Sequence, residues 1–136
     1  MSKGNTTEND ILEYVFKNTA FSWGANANVF LSLHTADPGE AGSQTTSEAT
    51  YTSYARVSVV RSGSGWTVSG NQASNAALVQ FPQATGGTNT ITHVAVGTST
   101  SGAGQLLYSG ALNSSLSVSS GIQPQFAIGA LTITED

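Results

Sequence analysis

The chain has 136 residues, no cysteine and a formal net charge of −4 at pH 7. A single domain of this length can bury a core, and without cysteine it can form neither disulfides nor a thiolate metal site. Its four cations cannot build the basic surface that neutralises phosphates, so we expect no nucleic-acid binding. The polar start and the lack of an apolar run of about 18 residues predict neither a signal peptide nor a membrane span.

Charged side chains occur only in the first 61 residues and at the last two positions, and none occurs from Ser62 to Thr134. Charges, Lys in particular, normally keep the edges of β-sheets from pairing with other chains. We therefore expect the edges to be covered in a permanent assembly, such as a dimer or trimer. The alternative is a stable monomer whose outer surface consists of Ser and Thr.

A single helix is predicted, within an N-terminal arm and helix over residues 1–20. Thr7 is expected to cap it, with Asp10 as a weak capping-box partner. A short apolar stripe usually packs onto the protein's own sheet, and we expect this here, with partner binding as the alternative. The stripe consists of Ile11, Leu12, Val15 and Phe16.

The rest of the chain is a series of short strands separated by polar turns. NVFLSLHT alternates, so that Val29, Leu31 and Leu33 share one face while Ser32 and His34 lie on the polar face. About eight such strands with no helix between them predict an all-β fold. We expect one domain over residues 1–136, an antiparallel β-sandwich or jelly-roll-like fold with one short N-terminal helix. The other predicted strands are YTSYARVSVVR, GWTVSG, NAALVQF, TNTITHVAVGT, GQLLYSGAL, SSLSVSS and IQPQFAIGALTIT.

The stretch SLHTADPGEAG raises the question of a metal or catalytic site. Asp37, Pro38 and Gly39 match the first three positions of a type II turn, which explains the carboxylate without a ligand. A metal site would need His34, a carboxylate and a third ligand, and the only other histidine, His93, lies in a different strand. We favour a turn leading into a long flexible loop, GEAGSQTTSEAT.

Catalytic motifs are missing elsewhere. No Gly-x-Ser-x-Gly and no P-loop sequence occurs. The carboxylates of Asp37, Glu40 and Glu48 fall on one loop, whereas general acid/base chemistry needs a rigid pair. We therefore expect no enzymatic activity and no cofactor.

Partner contacts are expected from large apolar residues near the helix and from the acidic loop. Trp23 precedes a glycine in an irregular segment, so it is the better candidate for an exposed ring that stacks on a sugar. Trp66 alternates with Val68 and is expected in the core. The candidate contact residues are Phe21, Trp23, Phe30, Asp37, Glu40 and Glu48.

Several segments in a fixed order resemble a family of small tailed-phage virion proteins that are commonly filed as tail-fibre proteins. The resemblance extends over nearly all of the chain, and its specificity lies in the combination of the segments. They are Leu33–Gly42, Tyr54–Arg56, Phe81–Pro82, Ile91–His93, Gly104–Leu112 and Gly129–Ile133.

The resemblance implies a structural role in the phage virion without catalysis. Because the chain lacks shaft repeats and heptads, we expect a capsid decoration (cement) protein on the capsid exterior. It would contact the major capsid protein or other virion proteins. The alternative is a module at the tail fibre or tail tip that recognises a host surface glycan.

Overall fold

The computed structural model describes all residues from Met1 to Asp136, with one helix and ten strands. Every strand pair is antiparallel, in sheets of order β1-β8-β7-β2-β3, β10-β5-β4 and β6-β9. The predicted all-β sandwich with one short N-terminal helix is confirmed, while jelly-roll connectivity stays a prediction. The elements are β1 (Ser2–Lys3), α1 (Asn5–Lys17), β2 (Asn28–His34), β3 (Val57–Val60), β4 (Trp66–Ser69), β5 (Gln72–Asn75), β6 (Val79–Gln80), β7 (Asn89–Gly97), β8 (Leu106–Val118), β9 (Gln125–Phe126) and β10 (Thr132–Thr134).

The core joins one face of the five-stranded sheet to residues from the two smaller sheets. Leu31 pairs in register with Val96 and Leu33 with Val94, so their side chains share the inner face. Phe81, which follows β6, is fully buried in the same cluster. The predicted inner face of β2 is confirmed.

The opposite face of β2 is buried as well. Ser32, His34 and Ala95 each have 0% exposure. The Ser32 hydroxyl lies 2.8 Å from His34 Nε2, and His34 Nδ1 lies 2.8 Å from the carbonyl oxygen of Thr46. The polar face of this strand is therefore where the loop between β2 and β3 packs.

That loop, residues 35–56, is packed against the sheet instead of being flexible. Gln44 is fully buried, and its amide donates to the Phe30 carbonyl (3.3 Å) and accepts from the Ser99 amide (3.0 Å). Gly97 makes the space, because a Cβ there would lie 2.1 Å from Gln44 Cδ. The predicted turn is confirmed: the Gly39 amide donates to Asp37 Oδ1 at 2.9 Å, and Gly39 has a φ of 72°.

Several of the predicted strands differ in the structure, and IQPQFAIGALTIT is divided into β9 and β10. GQLLYSGAL and SSLSVSS form one strand, β8, since both pair with β7. Ile91 pairs with Leu116 whereas His93 pairs with Ala111, so residues 112–115 form a large bulge. GWTVSG is only the first half of a hairpin, in which a two-residue turn at Gly70 joins β4 to β5.

Candidate partner-binding surface

The first two turns of α1 attach the helix to the domain. The helix begins at Asn5 after the N-cap Gly4, so the prediction that Thr7 caps it was wrong. Thr7 is buried inside the helix, where its hydroxyl donates to the Leu106 carbonyl at 2.7 Å. The Gln105 amide donates to both Thr7 Oγ1 (3.0 Å) and Asp10 Oδ2 (2.8 Å). Polar contacts therefore orient the helix.

Three of the four residues of the predicted apolar stripe face solvent, while Ile11 is half-buried. Leu12, Val15 and Phe16 are 57%, 61% and 78% exposed, and their i, i+3, i+4 spacing places them on one face. We call these three residues the outer helix face. The expectation that the stripe packs on the protein's own sheet was wrong, because Thr7 and Asp10 on the opposite face make that contact instead. Exposed apolar patches of this kind mark interaction surfaces.

A stack of aromatic rings ties the end of the helix to the sheet. Tyr14 stacks on Phe21 with 5.1 Å between ring centroids, and Phe21 stacks on Trp23 at 4.7 Å. The Arg61 guanidinium lies 5.2 Å from the Trp23 ring centroid and donates to the Asn26 carbonyl at 2.6 Å. Phe21 and Trp23 are thus half-buried links between α1 and the body of the domain.

The remaining candidate contact residues lie in different surroundings. Phe30 is half-buried on β2, while Asp37 and Glu40 are exposed. Glu48 forms a bidentate ion pair with Arg56, with Nε–Oε1 and Nη2–Oε2 distances of 2.8 Å. The side chains of this pair are 15% and 3% exposed, so both carboxylate oxygens of Glu48 are engaged within the chain.

A phenol completes this ion-pair network. The Tyr54 hydroxyl donates to Glu48 Oε1 at 2.9 Å and accepts from the Leu33 amide at 3.1 Å. Burial raises the pKa of Tyr54 above its usual value, and the Glu48 carboxylate raises it further. The hydroxyl therefore stays protonated and serves as a fixed link between the loop and β2.

The two histidines lie opposite each other on β2 and β7. Both ring nitrogens of His34 have partners within the chain, and burial lowers the pKa of His34. The His93 Nδ1 lies 2.8 Å from the Thr92 hydroxyl. No group of three His, Cys, Asp or Glu side chains is arranged to hold a metal ion. No helix has the length and apolarity to cross a membrane.

A groove of about 1070 Å³ lies beside the bulge in β8, and we call it the β8 groove. The bulge supplies amide and hydroxyl groups to its wall, and the exposed loop residues Asp37 and Glu40 supply carboxylates. This groove is a concave surface lined by hydrogen-bonding side chains. Its lining includes Asn113, Ser114, Ser115, Gln125 and Phe126.

Comparison with known families supports a structural role for this chain. A family model described as Podophage GP4 fiber I protein gp80 matches residues 2–134. Together with the antiparallel sandwich, this match defines a structural protein of a bacteriophage virion. The chain belongs to the Podophage GP4 fiber I protein gp80 family, and the resemblance to tailed-phage fibre proteins is confirmed. A comparison with curated proteins finds no match.

Proposed function

We propose that the protein is a structural component of the phage tail, associated with a fibre, and that it attaches to another virion protein through the outer helix face. Residues 1–136 act as one structural domain, with an arm and attachment helix over residues 1–20. The family description, which names a fibre, supports the tail over the capsid exterior. No catalytic step forms part of this role.

The exposed apolar side chains of the outer helix face support attachment to a partner protein. Leu12, Val15 and Phe16 have the spacing of anchors that enter a hydrophobic groove on a partner protein. Fully burying side chains of this size contributes about 1.5–3 kcal/mol each. In the isolated domain these side chains stay exposed and that free energy is not gained, since the helix is held by Thr7 and Asp10 on its other side.

Incorporation into particles tests the proposal. A phage lacking the gene is complemented with wild-type protein or with the Leu12→Gln, Val15→Gln, Phe16→Gln variant, and the protein is quantified in purified virions by mass spectrometry. The variant is expected to fold but to be lost from virions. A matched control, Leu78→Gln with Ile128→Gln, alters side chains that are 49% and 70% exposed elsewhere and is expected to be incorporated normally.

Capsid decoration is the second candidate. The domain consists of short elements, of which the longest strand has 13 residues, and it contains no extended shaft. This compact form favours capsid decoration. The two placements differ in copy number. A cement protein is present in hundreds of copies per particle, whereas a tail component is present in a handful, and gel densitometry against the major capsid protein separates them.

Within the tail placement, we infer that the β8 groove binds a host glycan. Hydroxyl, amide and carboxylate groups on its wall match the hydrogen-bonding groups of sugars, and Phe126 supplies an apolar surface. A glycan array tests this with wild type and with the Asn113→Ala, Glu40→Gln variant. Selective binding that the variant loses and that Asp136→Asn retains supports the inference, whereas an array without selective binding contradicts it.

A further inference from the structure

The edge strands of the larger sheet are protected from pairing with other chains. β1 is two residues long and contains Lys3, which is ion-paired with Glu135. β3 lies between Arg56 and Arg61, and β8 beyond its pairing with β1 is interrupted by the bulge at residues 112–115. Short strands, flanking charges and bulges are known protective devices of sheet edges.

The smaller sheets are protected at three of their four edges. β6 and β9 are two residues long and lie near Pro82 and Pro124. β10 is followed directly by Glu135 and Asp136. β4 is the exception: it has four residues in unbroken register with β5, lies between two glycines and has no charge, proline or bulge.

The free edge of β4 presents unpaired backbone groups at Val68. In a hairpin with a two-residue turn, the residues that flank the turn exchange hydrogen bonds, so Ser69 and Thr67 bond to β5. The Ala76 amide bonds to the Gly65 carbonyl at 2.9 Å, which continues the same alternation. The amide and carbonyl of Val68 therefore point outward from the sheet.

Val68 is the outermost residue on the inner face of this sheet. Val68 pairs in register with Ala73, which pairs with Ile133, so the three side chains share one face. Ile133 is 8% exposed, whereas Val68 is 73% exposed. An additional strand along β4 would cover the Val68 side chain and satisfy its backbone.

We propose that β4 pairs antiparallel with β4 of a second copy of this chain, with Val68 opposite Val68 of the second copy. In this two-fold arrangement the two valines exchange both backbone hydrogen bonds, and two three-stranded sheets become one of six strands. Thr67 of each copy lies opposite Ser69 of the other, which is a favourable hydroxyl pair. No charge lies on the strand, so the symmetric pairing brings no like charges together.

A single pair of short strands is a small interface, well below the roughly 1,000 Å² of a stable specific complex, so the dimer is weak and reversible. Sedimentation over a concentration series tests it with wild type, Val68→Lys and Val68→Pro. Proline removes only the outward amide, so pairing with β5 is retained. Wild type is expected to dimerise as concentration rises, and both variants to stay monomeric with unchanged circular dichroism.

The matched control is Val60→Lys, which places the same charge on a 41% exposed valine of the β3 edge and is expected to leave dimerisation unchanged. Hydrogen exchange in wild type gives a second readout that needs no variant. The Val68 amide is expected to exchange more slowly at dimer-forming than at monomer-forming concentrations. The proposal is overturned if wild type stays monomeric at every concentration, if both Val68 variants dimerise like wild type, or if the Val68 amide exchanges equally fast in both states.

Discussion

The loop over residues 35–56 buries polar side chains, whereas helix α1 exposes apolar ones, and both are the reverse of the usual distribution. The loop is rich in polar residues, yet Gln44 is fully buried and the Glu48 carboxylate is enclosed by Arg56 and Tyr54. The helix carries an apolar stripe, yet Phe16 is 78% exposed. The loop therefore stabilises the fold, while the outer helix face is free for a partner.

The difference has a physical cause. A buried polar group is tolerated when its hydrogen bonds are made inside the protein. Both polar atoms of the Gln44 side chain and both carboxylate oxygens of Glu48 have such partners. An exposed apolar side chain contributes no burial free energy until another surface covers it. Variants in the two regions should therefore have opposite effects on stability and on assembly.

The largest effect is expected from Arg56→Met in the loop's ion pair. It leaves the Glu48 carboxylate buried without its cation, which costs about 3–5 kcal/mol of the free energy of unfolding. Urea denaturation measures the loss. Lys17→Met breaks an exposed ion pair with Glu13 and is expected to cost less than about 1 kcal/mol. The Glu48→Gln, Arg56→Met double variant should recover part of the stability, and a single Arg56 variant as stable as wild type would refute the structural role of the loop.

The next effect is expected from Gln44→Ala, which leaves the Ser99 amide unsatisfied and costs about 1–3 kcal/mol. Thr45→Ala, at the exposed neighbouring position, should stay within about 0.5 kcal/mol of wild type. Thermal and urea unfolding give both values.

The contact between Gln44 and Gly97 sharpens this prediction. Gly97→Ala places a Cβ against the Gln44 side chain and should destabilise the protein, and Gln44→Ala should relieve part of that loss in the double variant. Strictly additive losses would show that Gln44 does not occupy this space.

Acidification should weaken the packing of the loop on β2. Burial lowers the pKa of His34 below its usual 6.5, so the unfolded chain takes up a proton more readily than the folded one. The free energy of unfolding is therefore expected to fall as pH drops from 6.5 towards the folded pKa, by at most ~1.4 kcal/mol per pH unit for one proton. Urea midpoints between pH 7.5 and 5 measure it, and His34→Gln should lose this pH dependence. An equal dependence in that variant would assign it to other groups.

The smallest effect on stability is expected at the outer helix face. Leu12→Gln, Val15→Gln and Phe16→Gln replace exposed residues with a good helix former, so each should change the free energy of unfolding by no more than about 0.5 kcal/mol. Phe81→Ala in the core should cost about 3–5 kcal/mol in the same assay. A large loss from the helix variants would mean that the stripe packs within the domain.

Local patterns predicted the parts of the fold that depend on local chemistry. The alternation in β2 identified the inner face, and Asp37, Pro38 and Gly39 identified the turn. The hairpin between β4 and β5 was missed although Gly70 and Asn71 between two short strands are a known two-residue turn signal.

The rest depended on contacts between distant residues. Spacing reveals that Leu12, Val15 and Phe16 share a face but not which face meets the sheet, because that is decided by Thr7 bonding to Leu106. The burial of Gln44 likewise depends on a glycine more than 50 residues away. The β8 groove depends on a bulge whose turn-favouring residues, Asn113, Ser114 and Ser115, indicated a break between two strands but not that both halves pair with β7 as one strand. The candidate site was therefore only partly predictable: Phe21 and Trp23 lie close to the helix, whereas both carboxylate oxygens of Glu48 are engaged by Arg56 within the domain.

Cryo-electron microscopy of the intact virion would show directly where the domain lies and what covers the outer helix face. We expect density for this domain at the tail, with Leu12, Val15 and Phe16 packed against another virion protein. A particle in which these three side chains face solvent in every copy of the domain would contradict this expectation.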